Sequence, residues 1–117
     1  MQDGAWPADG EVGNEICYAM VRVVVDAFPG PIVVAGDFNT PVESVIYRTV
    51  WGDLANAFDK VGRGYGITQR VSVKGFSFGA RIDHVLAGKG LVPKVCEVGP
   101  DIGSDHLPVI ADIGFSR

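Results

Sequence analysis

From residue 11 onward, apolar runs alternate with short polar breaks, and the period of each run predicts an element. Glu11, Asn14, Glu15, Tyr18, Arg22 and Asp26 share one narrow helical stripe, with Ile16, Cys17, Met20, Val21, Val23, Val24 and Phe28 around the rest. A helix showing so little polar surface is expected to be covered on several sides, polar stripe outward. The β-branched cluster Val23-Val24-Val25 leaves a strand as the alternative, and Pro29-Gly30-Pro31 ends the element in either case.

Ile32-Val33-Val34-Ala35 is unbroken and apolar, which predicts a central strand buried on both faces. Thr40-Pro41-Val42-Glu43 has the form of a capping box, with Thr40 as N-cap. Val42, Val45, Ile46, Thr49 and Val50 would then form the buried stripe of a helix. A second short helix is expected from Asp53, burying Leu54, Ala57, Phe58 and Val61. The glycines of Gly62-Arg63-Gly64-Tyr65-Gly66 predict a loop, and their spacing alone is a weak phosphate signal. Strands follow near Thr68 to Lys74, Ile82 to Ala87, Leu91 to Val98 and Val109 to Phe115.

Composition narrows the class. At 117 residues, 47% hydrophobic and 21% charged, the chain reads as one small globular domain, residues 11–117, behind a polar leader at 1–10. A chain of this size buries roughly 65% of its extended surface, so its stability margin is thin. The formal net charge of −4 argues against a protein that coats nucleic acid. Its distribution is uneven: seven cations between Lys60 and Lys94 oppose the one acid Asp83, so that segment carries +6 and the remainder −10. One side of the fold could therefore face an anion; solvated lysines are the alternative.

Residues 1–7 show neither a basic nor an apolar segment of signal-peptide type, and the run Ile16 to Phe28 is broken by Arg22 and Asp26. A soluble, cytoplasmic protein with no membrane partner is expected. Cys17 and Cys96 lack paired metal-ligand spacing and are expected to be reduced and packed.

Three polar segments sit beside strand ends: Gly36-Asp37-Phe38-Asn39, Arg81-Ile82-Asp83-His84 and Gly103-Ser104-Asp105-His106. Two residues apart, Asp37 and Asn39 would project to one face while Phe38 points into packing. Asp37 can orient or deprotonate a water, and the Asn39 amide can donate to a phosphoryl oxygen as charge develops. The alternative is that both only shape a turn. Asp105 is a hard oxygen ligand suited to Mg²⁺ or Mn²⁺, and His106 could contact phosphate or move protons. A catalytic histidine needs a second group to fix its tautomer, and Asp83 is the candidate. His84, facing away from Asp83, is assigned a structural role.

Taken in order, Gly36-Asp37-Phe38-Asn39, Arg81-Ile82-Asp83-His84-Val85 and Gly103-Ser104-Asp105-His106-Leu107-Pro108-Val109 resemble the C-terminal signatures of the endonuclease/exonuclease/phosphatase superfamily. The resemblance runs from about Glu11 to Phe115. It implies a four-layered α/β sandwich, of which this chain would be one half: a mixed, mainly antiparallel sheet with helices packed on one face. It also implies metal-dependent hydrolysis of phosphate esters, of phosphodiesterase or nuclease type. Carried over by motif, Asp37 would activate water, Asn39 stabilise the transition state, Asp83 orient His106, His106 bind or protonate the phosphate, and Asp105 help hold the metal.

The family's N-terminal half supplies an Asn, a Glu that is the principal metal ligand, and often a Tyr or His near the phosphate, and none of these can be placed here. Mg²⁺ or Mn²⁺ would therefore be held weakly through Asp105. Half a sandwich also leaves an apolar sheet face beyond the few hundred Å² that a monomer tolerates. A homodimer whose second sheet supplies the missing half is expected, with a fragment of a longer protein as the alternative. The ligand would be a phosphate ester, with nucleic acid within its range. The competing functional reading is an inactive truncated homologue that binds phosphate ligands or a protein.

Overall fold

The computed structural model describes residues 11–116, so the leader at 1–10 lies outside the described residues. The described chain is mixed α/β, with α1 (Glu11–Ala27), β1 (Val33–Asp37), α2 (Val45–Trp51), β2 (Ala55–Asn56) and α3 (Ala57–Val61) in its first half. The second half is all strand: β3 (Gln69–Val73), β4 (Phe76–Ala80), β5 (Asp83–Ala87), β6 (Leu91–Val98) and β7 (Val109–Phe115). All ladders between these strands are antiparallel, in three groups ordered β1-β5-β2, β3-β4 and β6-β7. Among the described residues no helix is long and apolar enough to cross a membrane.

The core lies between β1-β5 and the two longer helices. Tyr18 of α1, Phe38 after β1, Ile46, Tyr47 and Trp51 of α2 and Leu86 of β5 are buried together, edged by Val25, Val34, Val42, Val50 and Leu54. Four of these are aromatic rings, with Phe38 and Trp51 meeting edge-on at 5.5 Å and Tyr18 6.0 Å from both. Such tilted and edge contacts add to the area they bury.

Several expected details change, each for a tertiary reason. The α1 segment is a helix, but it docks through the stripe expected to face outward: Tyr18 is buried, and Arg22 is half-buried. The Arg22 guanidinium binds both Asp53 oxygens at 2.8 Å and donates to the Val50 carbonyl at 2.9 Å, while its plane lies 5.7 Å from the Trp51 ring. Ile16, Met20, Val23 and Val24 instead face outward, more than half exposed. Cys17, expected to be packed, is exposed, whereas Cys96 is buried; both are free thiols.

The strand Val33–Asp37 is not central. It lies at the edge of its group, with Val33 45% exposed, and β5 takes the middle position. Thr40 is not the N-cap of α2. That role belongs to Ser44, whose side chain accepts from the Tyr47 N–H, and Thr40 instead donates its hydroxyl to Ser44 Oγ at 2.8 Å. The buried face of α2 is consequently Ile46, Tyr47 and Trp51, and Val45 and Thr49 are exposed. Asp53 does not start a helix, because Arg22 holds it; Asn56 caps α3, accepting from Phe58 and Asp59.

The hydrophobic pattern missed two elements: the two-residue β2, which falls inside the helix expected from Asp53, and β4. Lys74 (φ 50°) and Gly75 (φ 82°) both take positive φ, which makes a two-residue hairpin turn that reverses the chain and pairs Val73 with Phe76.

Candidate active site

Antiparallel register builds the first part of the site. Asp37 is the last residue of β1 and Asp83 the first of β5, and the two are direct partners in the ladder. Direct partners put their side chains on one face, so two carboxylates that lie 46 positions apart in the sequence end side by side.

The third group arrives by a different route. The Leu107 N–H donates to the Thr68 carbonyl at 2.7 Å, and Gln69 and His106 form a bridge, so the loop before β7 is pinned to the start of β3. That contact brings the half-buried His106 ring against the carboxylates, with Nδ1 2.7 Å from Asp83 Oδ2 and Nε2 3.7 Å from Asp37 Oδ2. One ligand atom from each of Asp37, Asp83 and His106 lies within 4.8 Å of the others. The hydrogen bond that the ring donates to Asp83 raises the His106 pKa above its ordinary value, and the charges of Asp83, Asp37 and Asp105 add to the effect.

The remaining expected residues are placed less directly. β1 ends at Asp37, so strand alternation does not carry Asn39. It sits instead at φ 54°, in a turn where its own N–H donates to Asp37 Oδ1 at 2.8 Å, with its side chain exposed. Asp105 is exposed next to His106, outside the three-residue cluster, and accepts from the Ser104 hydroxyl at 3.3 Å.

His84 points to the other side of the sheet. Its Nε2–H donates to the Thr40 carbonyl at 2.8 Å and its Nδ1 accepts from the Asn56 amide at 3.2 Å. Burial lowers its pKa. Arg81, one cation of the basic segment, is likewise committed, bound to Asp59 and 3.3 Å from Asn56 Oδ1 with its plane over Phe58.

Two residues that the sequence reading passed over hold the cluster together. Thr68 is fully buried, and its hydroxyl oxygen accepts from the Ile82 and Asp83 amides at 3.1 and 3.2 Å while its carbonyl anchors Leu107. One residue therefore fixes the strand carrying Asp83 and the loop carrying His106. Gln69, half-buried, places its side-chain nitrogen 3.2 Å from His106 Nε2. Neither stands out by spacing, because these partners are between 14 and 39 positions away.

Residues 3–106 match the sequence model of the endonuclease/exonuclease/phosphatase family. This chain belongs to that family. None of the curated proteins matches it. Solved structures share its fold: an endonuclease/exonuclease/phosphatase from Bacteroides vulgatus superposes with a TM-score of 0.72 at 22% identity, covering 92% of this chain and 46% of that one. A family protein from Leptotrichia buccalis does so with a TM-score of 0.68 at 22% identity, covering 84% and 42%. A mannosyl-6-phosphatase from Bacteroides thetaiotaomicron has a TM-score of 0.61 at 18% identity, covering 87% and 44%. The chain thus spans a little under half the length of the solved family structures it matches.

Proposed function

We propose that this family member hydrolyses phosphate esters with a divalent ion, Mg²⁺ or Mn²⁺, and that it does so once a second protein surface closes the site. The observation that carries the reading is the His106 ring held by Asp83 at Nδ1 with Nε2 toward Asp37. That is a base with a positioning carboxylate behind it and a second carboxylate in front, the arrangement that proton transfer to or from a reacting oxygen needs. Asp37 orients or deprotonates the attacking water, Asn39 donates to the phosphoryl oxygens, Asp83 orients His106, and His106 binds or protonates the phosphate.

We assign the ion to Asp105. Asp83 and His106 satisfy each other, but Asp105 offers an exposed hard oxygen beside them, and Mg²⁺ commonly takes one or two carboxylates and fills its other positions with water and substrate phosphate. Held through Asp105, an ion would supply charge neutralisation at the phosphoryl oxygens. With a single protein carboxylate, weak binding is expected.

The covering surface that we assign is a second copy of this chain. Its support is the outward apolar side of α1 together with the exposed edge strand β1. Light scattering on the purified chain at micromolar concentration is expected to give the mass of a dimer, and a clean monomer would count against a second copy.

Substrate class is tested with p-nitrophenyl phosphate and bis(p-nitrophenyl) phosphate. The mannosyl-6-phosphatase among the structural neighbours supports the monoester, and the nuclease side of the family supports the diester. Hydrolysis is expected to need Mg²⁺ or Mn²⁺, to stop with EDTA, and to fall on the order of 10²- to 10⁴-fold in His106→Ala and Asp37→Ala. Turnover that survives both substitutions would overturn the reading. The second reading, an inactive homologue that binds phosphate ligands or a protein, is favoured by the mutual engagement of Asp83 and His106, and calorimetric phosphate binding without hydrolysis would select it.

A further inference from the structure

His106 has a third polar neighbour besides the two carboxylates. The Gln69 side-chain nitrogen lies 3.2 Å from His106 Nε2. Strand pairing makes this contact: Gln69 and His106 are bridge partners, and the Leu107 N–H donates to the Thr68 carbonyl beside them. Directly opposed residues present their side chains to one face, so backbone register alone puts the amide against the ring.

The chemistry of the three neighbours decides where the ring proton sits. A carboxylate only accepts, so the 2.7 Å approach of Asp83 Oδ2 to Nδ1 is attractive when Nδ1 carries the hydrogen. Asp37, 3.7 Å from Nε2, is also only an acceptor and pulls a proton the opposite way. A neutral imidazole has one ring proton to share between two carboxylates. An amide nitrogen is only a donor, so its contact with Nε2 is a hydrogen bond solely when Nε2 holds a lone pair.

We infer that Gln69 is a positioning residue for His106: its amide N–H caps the Nε2 lone pair, keeps the single ring proton on Nδ1 against Asp83, and prevents the ring from turning an Nε2–H toward Asp37. The functional consequence rests on the phosphoester reading above. In that reaction the resting ring meets the substrate with its Nε2 lone pair, so it takes up a proton there before it can pass one to the phosphate, and Asp37 stays free to accept from water.

The test is long-range proton–nitrogen NMR on the full chain labelled at histidine, at a pH where the ring is neutral, with His106→Asn used to assign the His106 signals against those of His84. In the unmutated protein the His106 Nδ1 resonance is expected at the protonated position and Nε2 at the lone-pair position. Gln69→Leu is expected to move both toward intermediate values, and Gln69→Glu, which sets a third acceptor at Nε2, to move the Nε2 resonance toward the protonated position.

A ring found with its proton on Nε2 in the unmutated chain overturns the inference without any variant. So does an unchanged pattern in both folded variants. Hydrolysis is read separately: an inactive protein with the Nδ1 proton in place removes the phosphoester reading alone, and an active one with the proton on Nε2 removes the inference alone.

Discussion

Replacing Thr68 by valine keeps the shape of a fully buried side chain and removes only its hydroxyl. That oxygen accepts from the Ile82 and Asp83 amides at 3.1 and 3.2 Å and lies 3.4 Å from the Ala80 carbonyl. A buried donor left without a partner costs about 1–3 kcal/mol. One oxygen serves both amides here at the longer end of the hydrogen-bond range, so the lower part of that span applies to each, about 2–3 kcal/mol together. Against a total of roughly 6–18 kcal/mol for a chain of this size, the loss is large.

At about 4 °C per kcal/mol the melting temperature should fall by about 8–12 °C. Thr68→Ser is the control, since it keeps the hydroxyl and gives up one methyl group, about 1 kcal/mol. The two are compared by urea unfolding, read as midpoint shifts at constant slope. Hydrolysis, once established, should fall in the valine variant on the order of 10²-fold, because Asp83 and the His106 loop are both set by this residue. A valine variant no less stable than the serine one would refute the account of how Asp83 is held.

Four further outcomes are expected. Arg22→Met removes the paired bonds to Asp53 and the one to the Val50 carbonyl and should cost about 1–2 kcal/mol by chemical denaturation, whereas Asp53→Asn, at an exposed carboxylate, should cost under about 1 kcal/mol and less in high salt. Burial lowers the His84 pKa from its ordinary 6.5, so the unfolded chain binds the extra proton. The stability from keeping His84 neutral is complete above that pH and lost as pH falls through 6.5; denaturation midpoints should show this acid-side loss and His84→Gln should flatten it. His106 has the opposite sign: Asp83 raises its pKa, so its contribution is complete below 6.5 and lost as pH rises through the raised value, a decline that His106→Asn should abolish. Met20→Lys with Val24→Lys, at positions 67% and 70% exposed, should change stability by under about 1 kcal/mol while reducing self-association in light scattering.

What the chain itself determined was the order of its elements and the identity of its polar strand ends. Strand-forming runs at Val33–Asp37, Asp83–Ala87, Leu91–Val98 and Val109–Phe115 carry their own period and breakers, and the segments around Asp37, Asp83 and His106 are marked by local motifs. Such features act over a few residues and are therefore legible along the sequence. The tertiary structure decided everything that depended on a distant partner. Tyr18 and Arg22 turned the expected outer stripe of α1 inward because Trp51, Phe38 and Asp53 wait there. Ser44 displaced Thr40 as a cap while the His84 ring bound the Thr40 carbonyl. The Asp37–Asp83 register and the Thr68–Leu107 bond, neither visible in any local pattern, brought Asp83 to 2.7 Å and Asp37 to 3.7 Å from the His106 ring. Hydrogen bonds and ring contacts are satisfied by whatever group folding delivers, and only the folded chain specifies that group.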